Sequence, residues 1–204
     1  CCMVFKSISS TLSFLTIIPI PRAYNFDLAT IAKNMQFFPL CGLIIGIIVG
    51  FVALLSSTYL PQYITSLVVL VAFVLITGVH HIDGLADFAD GLMIKGDRES
   101  KRKAMSDPIV GAAGATALII NFIGLFIALL NFESSLRLFY SIIVSEIIAK
   151  YVMVMQASVG HSAWSGFSSS FTIEMKKGNK IIISAVIAVL LVFVIDGMMG
   201  LLTL

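Results

Sequence analysis

Apolar residues are gathered into long uninterrupted runs, separated by short polar stretches rich in glycine, serine and charge. A helix that crosses a bilayer needs about 20 mostly apolar residues. The runs at 37–58, 64–82, 112–130, 138–157 and 181–203 meet that requirement. Residues 5–18 are also apolar, but "TIIPIPR" halts the run before it is long enough to cross, because proline ends a helix. Hydrocarbon offers no partner for free backbone groups, so each run must be helical. The pattern predicts an all-α polytopic integral membrane helical bundle of about five transmembrane helices, with an N-terminal interfacial or re-entrant helix. Residues 1–204 form one membrane-embedded domain in this reading.

Composition agrees. Hydrophobic residues make up 59% of the chain and charged residues 12%, and the mean hydropathy is +1.05. A soluble domain carries about 25% charged residues. The net charge of +2 is too small to argue for a nucleic-acid partner. Eleven of the thirteen basic residues fall on one side of the five-span reading, at 6–33, 95–103 and 176–180. The positive-inside rule then places the amino terminus and the 83–111 loop on the cytoplasmic side of the membrane. Three cysteines without a CxxC pair support neither a disulfide framework nor a zinc site. Cys41, inside an apolar run, reads as a packed hydrophobe. Gly42, Gly46 and Gly50 recur every four residues and predict a close helix–helix contact.

One stretch breaks the apolar pattern. "HHIDGLADFADG", residues 80–91, brings three carboxylates to the end of the second run. If that helix continues for two further turns, Asp83, Asp87 and Asp90 share a sector of about 60°, with His80 beside them. Carboxylates on one face repel unless a cation lies among them, and oxygen ligands suit a hard ion such as Mg2+. Gly84 and Gly91 also share a face, where a ligand or another helix could approach closely. The repeated Asp-Gly pairs are equally compatible with turns that end the helix.

Downstream, "IKGDRESKRKAMSDPIVGAAG" adds a basic loop and a fourth carboxylate, Asp107. Lys95 and Arg98, nearest the cluster, suit the phosphates of a substrate. His80, Gly84 and Gly91 join them as candidates for the same role. Lys101, Arg102 and Lys103 fit that role or anionic lipid equally. Asp107 is a metal ligand, a base or a helix cap. Gly111 and Gly114 open the third span and could bring its positive N-terminal end near an anion.

Together these residues resemble the signature of the cobalamin (5′-phosphate) synthase family, the adenosylcobinamide-GDP ribazoletransferases. "FLTIIPIP" at 14–21 and "FFPLCGLIIG" at 37–46 support the likeness in the same order. The resemblance implies a membrane enzyme that joins adenosylcobinamide-GDP to α-ribazole or its 5′-phosphate, releases GMP and requires Mg2+. Carried over by position, the family's acidic motif falls on Asp83, Asp87 and Asp90, and its Met-x-Asp on Met105 to Asp107. All four aspartates are thus expected in catalysis or metal binding. Two departures stand out. Ile17 occupies a position where the family usually has arginine, and the chain ends at Leu204 before a further Gly-Asp-containing apolar segment. A short family member or a missing carboxyl-terminal piece would explain the second. Asp87-Phe-Ala-Asp90-Gly91 is also similar to the start of the CDP-alcohol phosphotransferase motif, but Ile94-Lys95 replace the Ala-Arg that should follow.

Other polar residues read differently. Glu146 and Lys150, four apart, are expected to pair on one helix face. Asn121 predicts a helix–helix hydrogen bond. Asp196 would face an interior cavity or a contact between copies in a homo-oligomer. His161 and Trp164 suggest an interfacial loop with an aromatic anchor, or a ring that stacks on a base or corrin. A divalent-cation transporter is the rival class; it would place acidic residues at mid-membrane on more than one span.

Overall fold

The computed structural model describes residues 2–19 and 28–202. Pro21 and Arg22, which belong to the predicted break and the predicted basic side, lie outside the described residues. Among these residues ten α-helices follow in order: α1 (Cys2–Leu15), α2 (Leu28–Lys33), α3 (Phe38–Tyr59), α4 (Gln62–Thr77), α5 (His80–Met93), α6 (Arg98–Met105), α7 (Ala112–Leu130), α8 (Ser135–Val159), α9 (Phe167–Met175) and α10 (Lys180–Leu202). A 3-10 turn, Met35–Phe37, leads into α3. There is no strand among the described residues.

Local chemistry sets several boundaries. Pro39 sits in the first turn of α3, where a missing N–H costs nothing. Asp97 caps α6 by accepting from the Ser100 N–H at 2.9 Å. Ser134 does the same for α8 through the Arg137 N–H at 3.4 Å.

Among the described residues, four segments are long and apolar enough to cross a membrane by themselves: Met35–Tyr59, Ala112–Leu130, Ser135–Val159 and Lys180–Gly197. The 16-residue α4 spans about 24 Å and runs antiparallel to α7. The Gln62 side-chain N–H at its start donates to the Leu129 carbonyl near the end of α7, at 2.8 Å. Counted as one broken span with α5, α4 brings the crossings to five, so the expected all-α bundle is realised.

The straight second helix is not. Instead of continuing through residue 82, the chain ends α4 at Thr77 and turns by 93° into α5. Gly78 makes the turn with φ 69°, a backbone region that favours glycine. A Cβ there would lie 2.9 Å from Ile17 Cγ2, and the Ile17 N–H donates to the Ile76 carbonyl at 2.9 Å. Thus a carbonyl freed at the end of α4 is taken by the segment after α1, and the carboxylates lie on a separate helix. Ile17, where the resemblance expects arginine, stands against this bend.

The α3–α8 pair forms the centre of the bundle. A Cβ on Gly42 would fall on the Glu146 carbonyl oxygen, and one on Gly46 would lie 2.7 Å from Ile143 Cα. Gly50 meets the Phe139 ring. The glycine stripe is therefore the surface on which α8 rests. Around it Phe38, Ile45, Val49, Leu138, Ile142 and Val154 are buried. Cys41 is fully buried, its Sγ 3.0 Å from Thr11 Oγ1. Lys150 Nζ meets Glu146 Oε2 at 3.0 Å, the expected pair, which offsets much of the cost of placing either charge in an apolar bundle. Asn121, by contrast, is exposed on α7 with no hydrogen bond from a described residue, because its side chain faces away from the neighbouring helices.

Gly42→Ala should lower stability by about 1–3 kcal/mol, since the new methyl group meets backbone that cannot rotate away. Gly84→Ala should leave stability unchanged or raise it by up to about 1 kcal/mol, because nothing lies within 4 Å of that position. Unfolding of the two variants in detergent checks the contrast.

Candidate active site

The α5 helix carries the acidic motif through both Asp-Gly pairs without interruption. Asp83, Asp87 and Asp90 therefore keep the shared face expected of them, although on a helix that lies across the end of α4. They do not behave alike.

Asp90 reaches from α5 to the start of α7. Its Oδ2 accepts from the Gly111 N–H and its Oδ1 from the Gly114 N–H, each at 2.8 Å. Both amides belong to the helix N-terminus, where unpaired N–H groups and the helix dipole favour an anion. The anion expected beside Gly111 and Gly114 is thus the protein's own carboxylate. These glycines are required by the close approach. A Cβ on Gly111 would collide with Asp90 Oδ1, and one on Gly114 would come 2.6 Å from Asp90 Oδ2 and 3.0 Å from the Ala86 carbonyl oxygen.

Asp83 is exposed and Asp87 half-buried. Partial burial raises the pKa of Asp87 above its ordinary value, and the neighbouring charges of Asp83 and Asp90 push it the same way. His80 is exposed near the start of α5, and Gly84 opens to empty space. Gly91 is buried instead: a Cβ there would collide with Met105 Cγ and lie 3.3 Å from the Lys101 carbonyl oxygen. Of its two expected roles, the one realised is the approach of another helix, α6.

The α6 helix presents the basic loop. Lys95 and Arg98 are exposed beside α5. Arg102 places its guanidinium 5.3 Å from the centre of the Trp164 ring. Asp107, also exposed, accepts from the Ile109 N–H at 3.0 Å through Oδ1, in the connection that leads to α7. Its second oxygen is not held by this turn.

A family model described as Cobalamin-5-phosphate synthase matches residues 7–204, nearly the whole chain and all of these elements. The chain belongs to that family. Among its relatives, the adenosylcobinamide-GDP ribazoletransferase of Methanocella arvoryzae is 30% identical over 175 residues, covering 85% of this chain and 65% of the relative. The protein of the same name from Archaeoglobus fulgidus is 31% identical over 195 residues, 93% of this chain and 75% of its own length. That of Pyrococcus abyssi is 34% identical over 180 residues, covering 88% and 71%. The chain thus spans about two thirds of the length of the first of these relatives. No solved structure matches it.

For a member of the cobalamin-5-phosphate synthase family, the donor set on α5 agrees with a hard cation in chemistry. All donors are carboxylate oxygens, and the charges around Asp87 oppose its ionisation in the way a bound cation would relieve. The fit is partial in arrangement: among the described residues no three acidic, cysteine or histidine side chains converge into a ready metal cage. Mg2+ does not need one, since it keeps several waters and takes one or two carboxylates together with substrate phosphates. Asp83 and Asp87 fit that role best. Asp90 has its oxygens directed to α7.

Three features of the site had faint signals or none. The bend at Gly78 was signalled only by one glycine at the end of an apolar run. The pairing of Asp90 with α7 joins residues 21 and 24 positions apart, beyond any local pattern. The packing of Met105 on Gly91 was half-visible, as a glycine face with no stated occupant.

Proposed function

We propose that this chain is the catalytic part of an adenosylcobinamide-GDP ribazoletransferase. It would transfer the phosphocobinamide group of adenosylcobinamide-GDP to a ribose hydroxyl of α-ribazole or α-ribazole 5′-phosphate, releasing GMP. The observation that supports this most directly is the open face of α5, where Asp83 and Asp87 stand free while Asp90 ties the helix to the start of α7. Family membership and the relatives' shared name support the same reading. The excess of basic residues on the α5–α6 side supports a cytoplasmic location for that face.

In this reading Asp83 and Asp87 would hold Mg2+. The ion, when bound, supplies charge neutralisation on the pyrophosphate. Lys95 and Arg98 offset charge on the phosphates and on departing GMP. The ribose oxygen forms a bond to the corrinoid-linked phosphorus, and the bond from that phosphorus to the oxygen of GMP breaks. The hydroxyl proton passes to a carboxylate. The candidate acceptors are Asp83 on the open face and Asp107 in the connection.

Kinetics separate the roles. Asparagine at the proton acceptor should lower kcat by about 100-fold with an unchanged Mg2+ requirement. Asparagine at a metal-holding position should raise the Mg2+ concentration needed for half-maximal rate. Assays of GMP release by Asp83→Asn and Asp107→Asn across Mg2+ concentrations check the assignment. Full activity in both variants would remove these carboxylates from the mechanism.

A further inference from the structure

A cleft of about 500 Å3 opens between the end of α8, the loop at 160–166, α6 and α9. This is within the size range of small-molecule sites, roughly 300–1,000 Å3. Its walls are ring faces and thioethers, among them Phe38, Trp164, Met35, Met105 and Met153. The hydroxyls nearby are already occupied. Ser162 donates to the Trp164 carbonyl at 2.5 Å and meets Ser168 at 3.2 Å, while Thr172 donates to the Ser169 carbonyl. Gln156 and His161 also line the cleft, and their side chains take no hydrogen bond from a described residue.

One contact joins this cleft to the acidic helix, and a second steadies its wall. Met105, which forms part of the wall, also packs on Gly91, the residue after Asp90. Arg102, one turn earlier on α6, stacks over Trp164 and steadies that wall.

We propose that this cleft binds the flat, apolar bicyclic base of the ribazole nucleophile. The inference rests on the ribazoletransferase reading above. Aromatic faces and methionines suit a benzimidazole ring, which is large, planar and poor in hydrogen-bonding groups. Guanine fits badly, because its edge of donors and acceptors would be desolvated against the apolar walls with few partners. A corrinoid carrying its side chains is too bulky to enter. Gln156 and His161 remain for the base nitrogen and the ribose hydroxyls. The ribose then points along α6 towards α5, the direction in which its hydroxyl must attack.

Trp164 is the sole tryptophan of the chain and so reports on the cleft directly. With the full chain in lipid nanodiscs, α-ribazole should change Trp164 fluorescence saturably, and GMP at equal concentration should not. Ala163→Phe adds bulk at an exposed position of the cleft. It should raise the KM for α-ribazole tenfold or more and leave the KM for adenosylcobinamide-GDP within twofold. If the wild-type chain releases GMP while α-ribazole leaves both the fluorescence and the variant's KM unchanged, the cleft assignment is overturned. Quenching of Trp164 by brominated lipid without a response to α-ribazole would overturn it too, assigning the cleft to an acyl chain. A saturable α-ribazole response without GMP release would uphold the cleft and sink the transferase reading instead.

Discussion

Asp90→Ala is expected to abolish GMP release and also to loosen the protein. The carboxylate holds two backbone N–H groups at the start of α7, each at 2.8 Å. Charge-assisted hydrogen bonds of this kind contribute about 1.5–3 kcal/mol each, and their loss leaves two partly buried donors without an acceptor. The expected cost is about 3 kcal/mol, less than the sum because water can reach one side. Asp90→Asn keeps an oxygen for one of the two amides and should lie between the wild type and alanine. Thermal unfolding in detergent measures the order. Equal stability of Asp90→Ala and the wild type would show that α5 and α7 are held together by other contacts.

Asp87→Asn should do the opposite to stability. Burial and the charges of Asp83 and Asp90 raise the pKa of Asp87 above its ordinary 3.8. The folded protein therefore binds this proton more tightly than the unfolded chain does. Stability must then fall as pH rises from the ordinary value through the raised one, and remain lower at neutral pH. Without divalent cation, Asp87→Asn removes that strain and should unfold at a higher temperature than the wild type at pH 7. Added Mg2+ should stabilise the wild type and leave the variant unmoved. Activity should drop at least about 100-fold, so a gain in stability would accompany a loss of function. A wild-type melting temperature indifferent to both pH and Mg2+ would remove the reason to place a cation beside Asp87.

These predictions depend on geometry that the sequence disclosed unevenly. The crossing helices were legible because lipid leaves the backbone no choice but the helix, so apolar length alone is informative. The glycine stripe on α3 and the Glu146–Lys150 pair were legible because both follow the period of a single helix. The shared face of Asp83, Asp87 and Asp90 survived for the same reason, even though the helix carrying them turned out to be a separate one. What escaped were features made by residues distant in the chain. Gly78 bends the chain with Ile17 packed against it, and nothing near residue 78 records that contact. Asp90 looked like its two neighbours on α5, yet its partners lie at the start of α7. The cleft around Trp164 draws walls from five helices, so no single stretch displays it. Asn121 misled for a simpler reason, since a polar residue in a span was expected to find a partner helix and this one faces outward.

The proposed phosphoryl transfer to ribazole on the open acidic face of α5 can be followed by its products. Purified chain in nanodiscs, supplied with adenosylcobinamide-GDP, α-ribazole and Mg2+, tests it most directly. GMP should form in equal amount with the joined corrinoid product, and its formation should be abolished by chelation of Mg2+ and by Asp87→Asn. Undiminished GMP release from Asp87→Asn, or no release from the wild type alongside divalent-cation flux into liposomes, would contradict it.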